Sequence, residues 1–226
     1  MEIEVYIKMI KNDLLATKMK QLSEVITKVL TSNAENNLGE SHLLINDAYR
    51  QLIGLNSELV EKLPYGDTIN LISAYESAEV VKLIILAGLL KLSSDLNYIE
   101  GKEEEGLSSA YKSLNVYVKA LETDEETVID SCKENIDILI ERVSEYEIPL
   151  EGIIAIFKYE EAIGCYDKAE DALYEILDSA GNSNAYVEEA INFYNRLLEK
   201  TDEALEQGNL PREEVEDGLE RVKAYV

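Results

Sequence analysis

Residues 80–92 read VVKLIILAGLLKL, and this stretch limits the possible folds more than any other in the chain. Wound as a helix it is apolar nearly all round, and such a helix must be surrounded by other helices. Its wholly apolar run, Leu83 to Leu90, is far shorter than the roughly 20 residues that span a bilayer. A central buried helix over 78–100 is therefore expected. No window alternates with period two for long enough to make a strand. Three prolines and eleven glycines in 226 residues leave little punctuation for a sandwich of short strands. The predicted fold class is all-α.

The flanking sequence supplies the partners for that helix. Apolar residues at Ile3, Ile7, Ile10, Leu14, Leu22, Ile26 and Val29 recur by threes and fours, which predicts one long amphipathic helix over 2–32. SNAENNLGE at 32–40 breaks it, and Ser41 is expected to cap a helix whose inner face is Leu44, Ala48, Leu52, Leu55 and Leu59. Pro64-Tyr65-Gly66-Asp67 should end that helix, with Asp67 capping a short one at 68–74. After the central helix, breaks at Gly101-Lys102 and at Asp124 predict helices over 104–122 and 125–146. Glu147-Ile148-Pro149 precedes further helices at 150–163, 166–179, 184–206 and 211–225. The last junction has Gly208 as a stop, Pro211 at a start, and Glu213 and Glu214 in the first turn, where acids meet the positive end of the helix dipole. The organisation expected is a single compact body, with an N-terminal helix (1–34) packed on a helical-hairpin domain (38–226).

GCYDKAEDALYEIL at 164–177 places Ala169 and Leu173 as in the second helix of a tetratricopeptide unit. YKSLNVYVKALE at 111–122 aligns through Ser113, Tyr117 and Ala120, but Ser113 and Ala169 lie much further apart than the roughly 34 residues of consecutive units. Ala190 and Tyr194 fit the same spacing too soon, and the chain has no Trp. The pattern predicts an irregular array of antiparallel helix hairpins, tetratricopeptide-like towards the C-terminus, not a regular repeat.

Three segments carry a broader likeness: YIKMIKNDLLATKMKQL (6–22), YDKAEDALYEIL (166–177) and AINFYNRLLEKTDEALEQGNLPREEVEDGL (190–219). Their distinctive pieces are Ala169-Glu170-Asp171, Phe193-Tyr194 and Leu210-Pro211-Arg212-Glu213-Glu214. Together they resemble an uncharacterised bacterial family of similar length, all-helical and tetratricopeptide-like, that carries the label of a domain of unknown function. The middle of the chain, 35–150, matches in helical character. The resemblance implies the fold, and with it no activity, ligand or catalytic residue.

Charge narrows the choice of partner. The formal net charge is −25. Residues 1–34 nevertheless set five Lys (Lys8, Lys11, Lys18, Lys20, Lys28) against four acids (Glu2, Glu4, Asp13, Glu24), so the excess acid lies beyond them. Such a field repels phosphate backbones and anionic lipid, so nucleic acid is not expected as a partner. An acidic body favours a protein partner offering a basic segment. Cys132 and Cys165 stand alone without metal-ligand spacing, as in a reducing compartment, while a count of two also allows one disulfide. MEIEVYIKMIKNDLL lacks the apolar core of a secretory signal. Cytoplasmic location is expected.

Little in the chain suggests catalysis. His42 is the sole histidine, and it lacks the companions of a catalytic or metal-binding one; Gly39 stands where a di-iron Glu-x-x-His motif needs Glu. A surface or capping role suits it. Glu160, Glu161, Glu170 and Asp171 could be imagined as an acid–base set, but acids are so numerous that such pairs arise by chance. The acid runs at 103–105 and 124–126 suit helix starts. Asp178 and Glu189 occupy the ends of a calcium-loop spacing that fails at Ala180 and Ser183, where a ligand and a Gly belong. Among fourteen tyrosines, Tyr159, Tyr166, Tyr174, Tyr186 and Tyr194 surround the C-terminal hairpins, either packing between helices or lining a groove. No catalytic, cofactor or metal-binding residue is assigned. The expected function is a non-enzymatic helical scaffold or protein-interaction module. The alternative is a peripheral membrane or dimerisation role for the basic N-terminal helix. A carboxylate- or metal-dependent enzyme ranks third.

Overall fold

The computed structural model describes residues 2–73, 79–181 and 183–225. Among them are twelve α-helices and one π-helical turn, and no strand. They form two compact units, Met1–Tyr146 and Glu147–Val226. Neighbouring helices joined by short connections run antiparallel, as such connections require.

The first unit holds α1 (Glu2–Ala34), α2 (Leu38–Ala48), the π turn (Tyr49–Ile53), α3 (Ser57–Lys62), α4 (Tyr65–Ser73), α5 (Glu79–Ile99), α6 (Glu103–Thr123) and α7 (Glu125–Val143). Helix α5 is its centre. Leu83, Ile84, Ile85 and Leu86 are each at most 1% exposed. Consecutive helical residues point about 100° apart, so four in a row can be buried only when every side is covered. α6 packs along α5 most extensively, and α1, α2, α4 and α7 cover other sides. Hydroxyl groups pin the close pair: Ser113 Oγ donates to Ala87 O at 2.7 Å and Ser94 Oγ to Gly106 O at 2.7 Å. Arg142 of α7 then donates to Ser94 Oγ at 2.9 Å, pairs with Asp95 at 2.7 Å and lies over the Tyr98 ring.

Helix α1 presents a narrower face than its periodicity suggests. Leu15, Leu22 and Val29 are buried at seven-residue intervals, while Leu14 is 37% exposed. A two-turn repeat of this kind is the seam of a helix pair, and the partners are α2 and α5. The side chains of Ile3, Ile7 and Ile10 lie outside the described part.

The segment after α1 departs from expectation. Helix α2 begins at Leu38, capped by Asn37, which accepts from Glu40 N. Ser41 sits inside the helix, buried, its hydroxyl donating to Asn33 at 2.6 Å. The expected single helix to residue 63 is interrupted by the π turn, where Gly54 N bonds back to Tyr49 O at 3.0 Å. Gly54 follows at φ +81°, a conformation glycine adopts without strain, and Asn56 caps α3 afresh. The wider turn shifts the inner face: Ile45, Ala48, Tyr49 and Val60 are buried, whereas Leu59 is 44% exposed. Helix α4 starts at Tyr65, with Pro64 O accepting from Thr68 N, so Asp67 falls in the first turn instead of capping. Asp124 does cap α7, accepting from Thr127 N at 3.1 Å. Residues 74 and 78 of the expected helices lie outside the described residues.

The second unit holds α8 (Leu150–Ala162), α9 (Tyr166–Ser179), α10 (Asn184–Leu198), α11 (Asp202–Gln207) and α12 (Arg212–Lys223). α8 and α9 form a tight hairpin, and α10 packs on α12. The helix expected over 184–206 is two helices. Thr201 accepts from Ala204 N and starts α11, while Arg212 donates to the carbonyls of Leu198 and Lys200 and pairs with Asp202. Leu198 O belongs to the last turn of α10 and needs a donor, and Lys200 O lies two residues beyond it, so one guanidinium holds the exit of the helix. Asn184 is the first residue of α10, and Ser183 holds the cap position. In the core, Phe193 meets Phe157 and Tyr194 edge-to-face, with centroids 5.4 and 5.3 Å apart.

Candidate functional site

The residues that sequence chemistry singled out are dispersed by the fold. His42 projects from α2 with about half its side chain exposed, Nε2 lying 2.9 Å from Glu100 Oε1. Lys102 holds the other Glu100 oxygen at 2.8 Å, and this pairing, with His42 beside it, keeps the Glu100 carboxyl below its usual range. Such an arrangement ties the end of α5 to α2. It presents no nucleophile.

The four C-terminal acids do not converge. Arg196 takes Glu161 in its guanidinium fork at 2.7 and 2.8 Å and reaches Glu189 at 2.9 Å. Glu160 is buried, Glu170 accepts from the Tyr194 hydroxyl at 2.6 Å, and Asp171 faces solvent. In the calcium-like spacing, Asn182 lies outside the described residues and Glu189 is held by Arg196. Among the described residues, no group of three or more His, Cys, Asp or Glu is placed to hold a metal ion. Both cysteines are free thiols. Burial pushes Cys132 up to about 12 and raises Cys165 as well, with Glu160 adding to the latter. Both shifts disfavour the thiolate, the form a nucleophile requires.

The tyrosines of the C-terminal hairpins pack into the core of the second unit. Tyr159, Tyr166 and Tyr194 are buried, and Tyr174 and Tyr186 pack half-buried against the same core. One of them forms a polar centre: Tyr194 OH donates to Glu170, the Tyr174 hydroxyl lies 3.3 Å away, and Arg221 stands over the Tyr174 ring. Burial raises the Glu170 carboxyl above its usual range, and the Tyr194 hydrogen bond and Arg221 only partly offset this. A carboxyl raised by folding adds stability below its unfolded pKa, and loses that contribution as pH climbs through the folded value. Glu170→Gln keeps an acceptor for Tyr194 and removes the desolvated charge. It should match or exceed the parent in urea midpoint at pH 7, the advantage fading towards pH 4. Glu170→Ala, which removes the acceptor, should cost about 1 kcal/mol.

What the first unit does offer is an open cleft of about 390 Å³ between α1 and α7. One wall is Asn12, Leu15, Ala16 and Met19; the other is Glu126, Thr127, Asp130 and Ser131. The α1 positions are spaced i, i+3, i+4 and i+7, one face of a helix. The α7 positions rise as two adjacent pairs one turn apart. The cleft therefore has an apolar side and an acidic, hydroxyl-bearing side. Ala16 keeps the first wall low, and Asp124 anchors the start of the second by accepting from the Thr127 N–H and hydroxyl. No motif marked these residues. Their spacing is that of any amphipathic helix, and only the separation of α1 from α7 makes them a cleft.

No curated protein and no solved structure matches the chain. A family model described as "Family of unknown function (DUF6483)" matches residues 9–226, nearly the whole chain. With its all-helical fold and that match, the chain belongs to the DUF6483 family.

Proposed function

We propose that this protein is a non-enzymatic protein-interaction scaffold of the bacterial cytoplasm, its C-terminal hairpins packed in the tetratricopeptide manner. The observation that carries the reading is the open cleft between α1 and α7, two-sided in chemistry and set in a chain of net charge −25. Helical surfaces with an apolar stripe beside polar groups are what partner segments dock on. The dispersal of His42, Glu161 and Glu170 onto separate partners supports a body whose charges serve structure. Ala169 and Leu173, buried on α9 opposite α8, support the tetratricopeptide manner of packing. Leu15, Leu22 and Val29 of α1 are engaged with α2 and α5, and no helix among the described residues is long and apolar enough to cross a membrane.

The test is affinity capture from lysate with the tagged full chain at about 50 and 300 mM salt. A specific protein enriched at low salt and reduced at high salt is the expected result, because exposed charge contacts are screened within about a Debye length. Equal recovery of background proteins at both concentrations overturns the reading.

A further inference from the structure

We infer that the α1–α7 cleft receives a basic amphipathic segment of a protein partner, an aliphatic side chain resting on Leu15, Ala16 and Met19 while a neighbouring Lys or Arg reaches Asp130. This deepens the scaffold reading and rests on it. The two walls of the cleft differ in chemistry and together complement such a segment. Leu15 is 6% exposed and forms the floor of the α1 side. Ala16 lies beside it and Met19 one turn along, a small residue and a flexible one. Methionine is adaptable and recurs where a surface accepts partner side chains. Across the cleft, Asp130 is exposed on α7, with Ser131 next to it.

A long cationic side chain matches this pairing better than a compact ligand does. Lys and Arg lay their methylene stems on apolar surface while the charged head reaches outward. On a partner helix, residues three or four apart share a face, so one aliphatic and one basic residue can address the two walls together. The acid around the cleft adds to the fit. Glu126 also lines the α7 wall and Glu134 is exposed one turn beyond Asp130, while Asp137, further along the helix, is paired with Lys133. That field attracts a basic segment before contact and repels an acidic one. An exposed apolar strip with no charge beside it would not discriminate between partners in this way.

The probe is a fluorescein-labelled amphipathic helical peptide of leucine and lysine, with its leucine and glutamate counterpart as comparison, titrated with the full chain by anisotropy. The lysine peptide should bind and the glutamate peptide should not. Because the whole body is acidic, attraction by the general field must be separated from the cleft. Asp130→Asn and Glu216→Gln change net charge equally, but Glu216 lies on α12 in the other unit. Asp130→Asn should weaken the lysine peptide roughly tenfold, and Glu216→Gln should leave it within about twofold. Ala16→Trp, at an exposed helix position, fills the cleft and should also weaken binding by tenfold or more; circular dichroism confirms that each variant is folded. Equal effects of Asp130→Asn and Glu216→Gln, undiminished binding to Ala16→Trp, or no binding by the parent chain each overturn the proposal. Capture of the same lysate partner by Ala16→Trp and by the parent would refute the cleft while leaving the scaffold reading intact. Failure of the parent to capture any partner would remove both.

Discussion

Gly218→Ala should destabilise the second unit by about 3 kcal/mol or more, at the upper end of what overpacking a close-packed core costs. A Cβ on Gly218 would fall 2.5 Å from Tyr194 Cζ and 2.6 Å from its hydroxyl oxygen. Real Cβ atoms do not approach other atoms so closely, so something must move. Tyr194 has nowhere to go. It is fully buried, its ring meets Phe193 edge-on, and its hydroxyl is held by Glu170. Backbone must therefore shift, and α12 would lift from α10. The measurement is the urea midpoint followed by circular dichroism. Two comparisons make the result specific. Gly39→Ala, with nothing within 4 Å of the new methyl, should be neutral or stabilising by about 0.5–1 kcal/mol, because alanine favours helix. In a Tyr194→Leu background, Gly218→Ala should cost much less, since contacting residues couple. An additive double variant would show that the strain arises elsewhere.

The second large effect belongs to the central helix. Leu86→Ala should cost about 2–5 kcal/mol, through lost burial and the cavity left behind. Leu86 is 0% exposed on a helix covered on every side, so little of the surround can collapse into the gap. Leu43→Ala removes the same atoms at a position 66% exposed and should stay within about 0.5 kcal/mol. Thermal or urea unfolding of the pair is decisive. Similar losses at both sites would mean that α5 is not the enclosed centre of its unit.

Particular elements show why some features were legible in the sequence and others were not. VVKLIILAGLLKL was readable because a run with no polar face has one outcome in water, enclosure. Asp124, Gly208 and Pro211 were readable because caps and stops act on backbone groups within a few residues. The α2–α3 region misled because both Ser41 and Asn37 can cap. The choice fell to Asn37 once Ser41 could bond Asn33 on the preceding helix. The π turn at Tyr49–Ile53 and the break at Gly54 leave no mark in hydrophobic periodicity, yet after them α3 starts afresh with Val60 in and Leu59 out. The break after Leu198 depends on Arg212, fourteen residues downstream, whose guanidinium supplies the donors that let α10 stop.

The cleft illustrates the same divide. Asn12, Leu15, Ala16 and Met19 could be recognised as one helical stripe, and Asp130 as an exposed acid, but nothing local says that α1 and α7 stand side by side with space between them. From the residues alone came the helices, their approximate ends, the enclosed α5 and the acidic exterior, all consequences of short-range periodicity and of what water excludes. Which face of each helix turned inward, which carboxylate met which cation, and where a gap stayed open were decided by tertiary packing. Those outcomes depend on contacts between residues far apart in the chain, and a one-dimensional pattern holds no record of them.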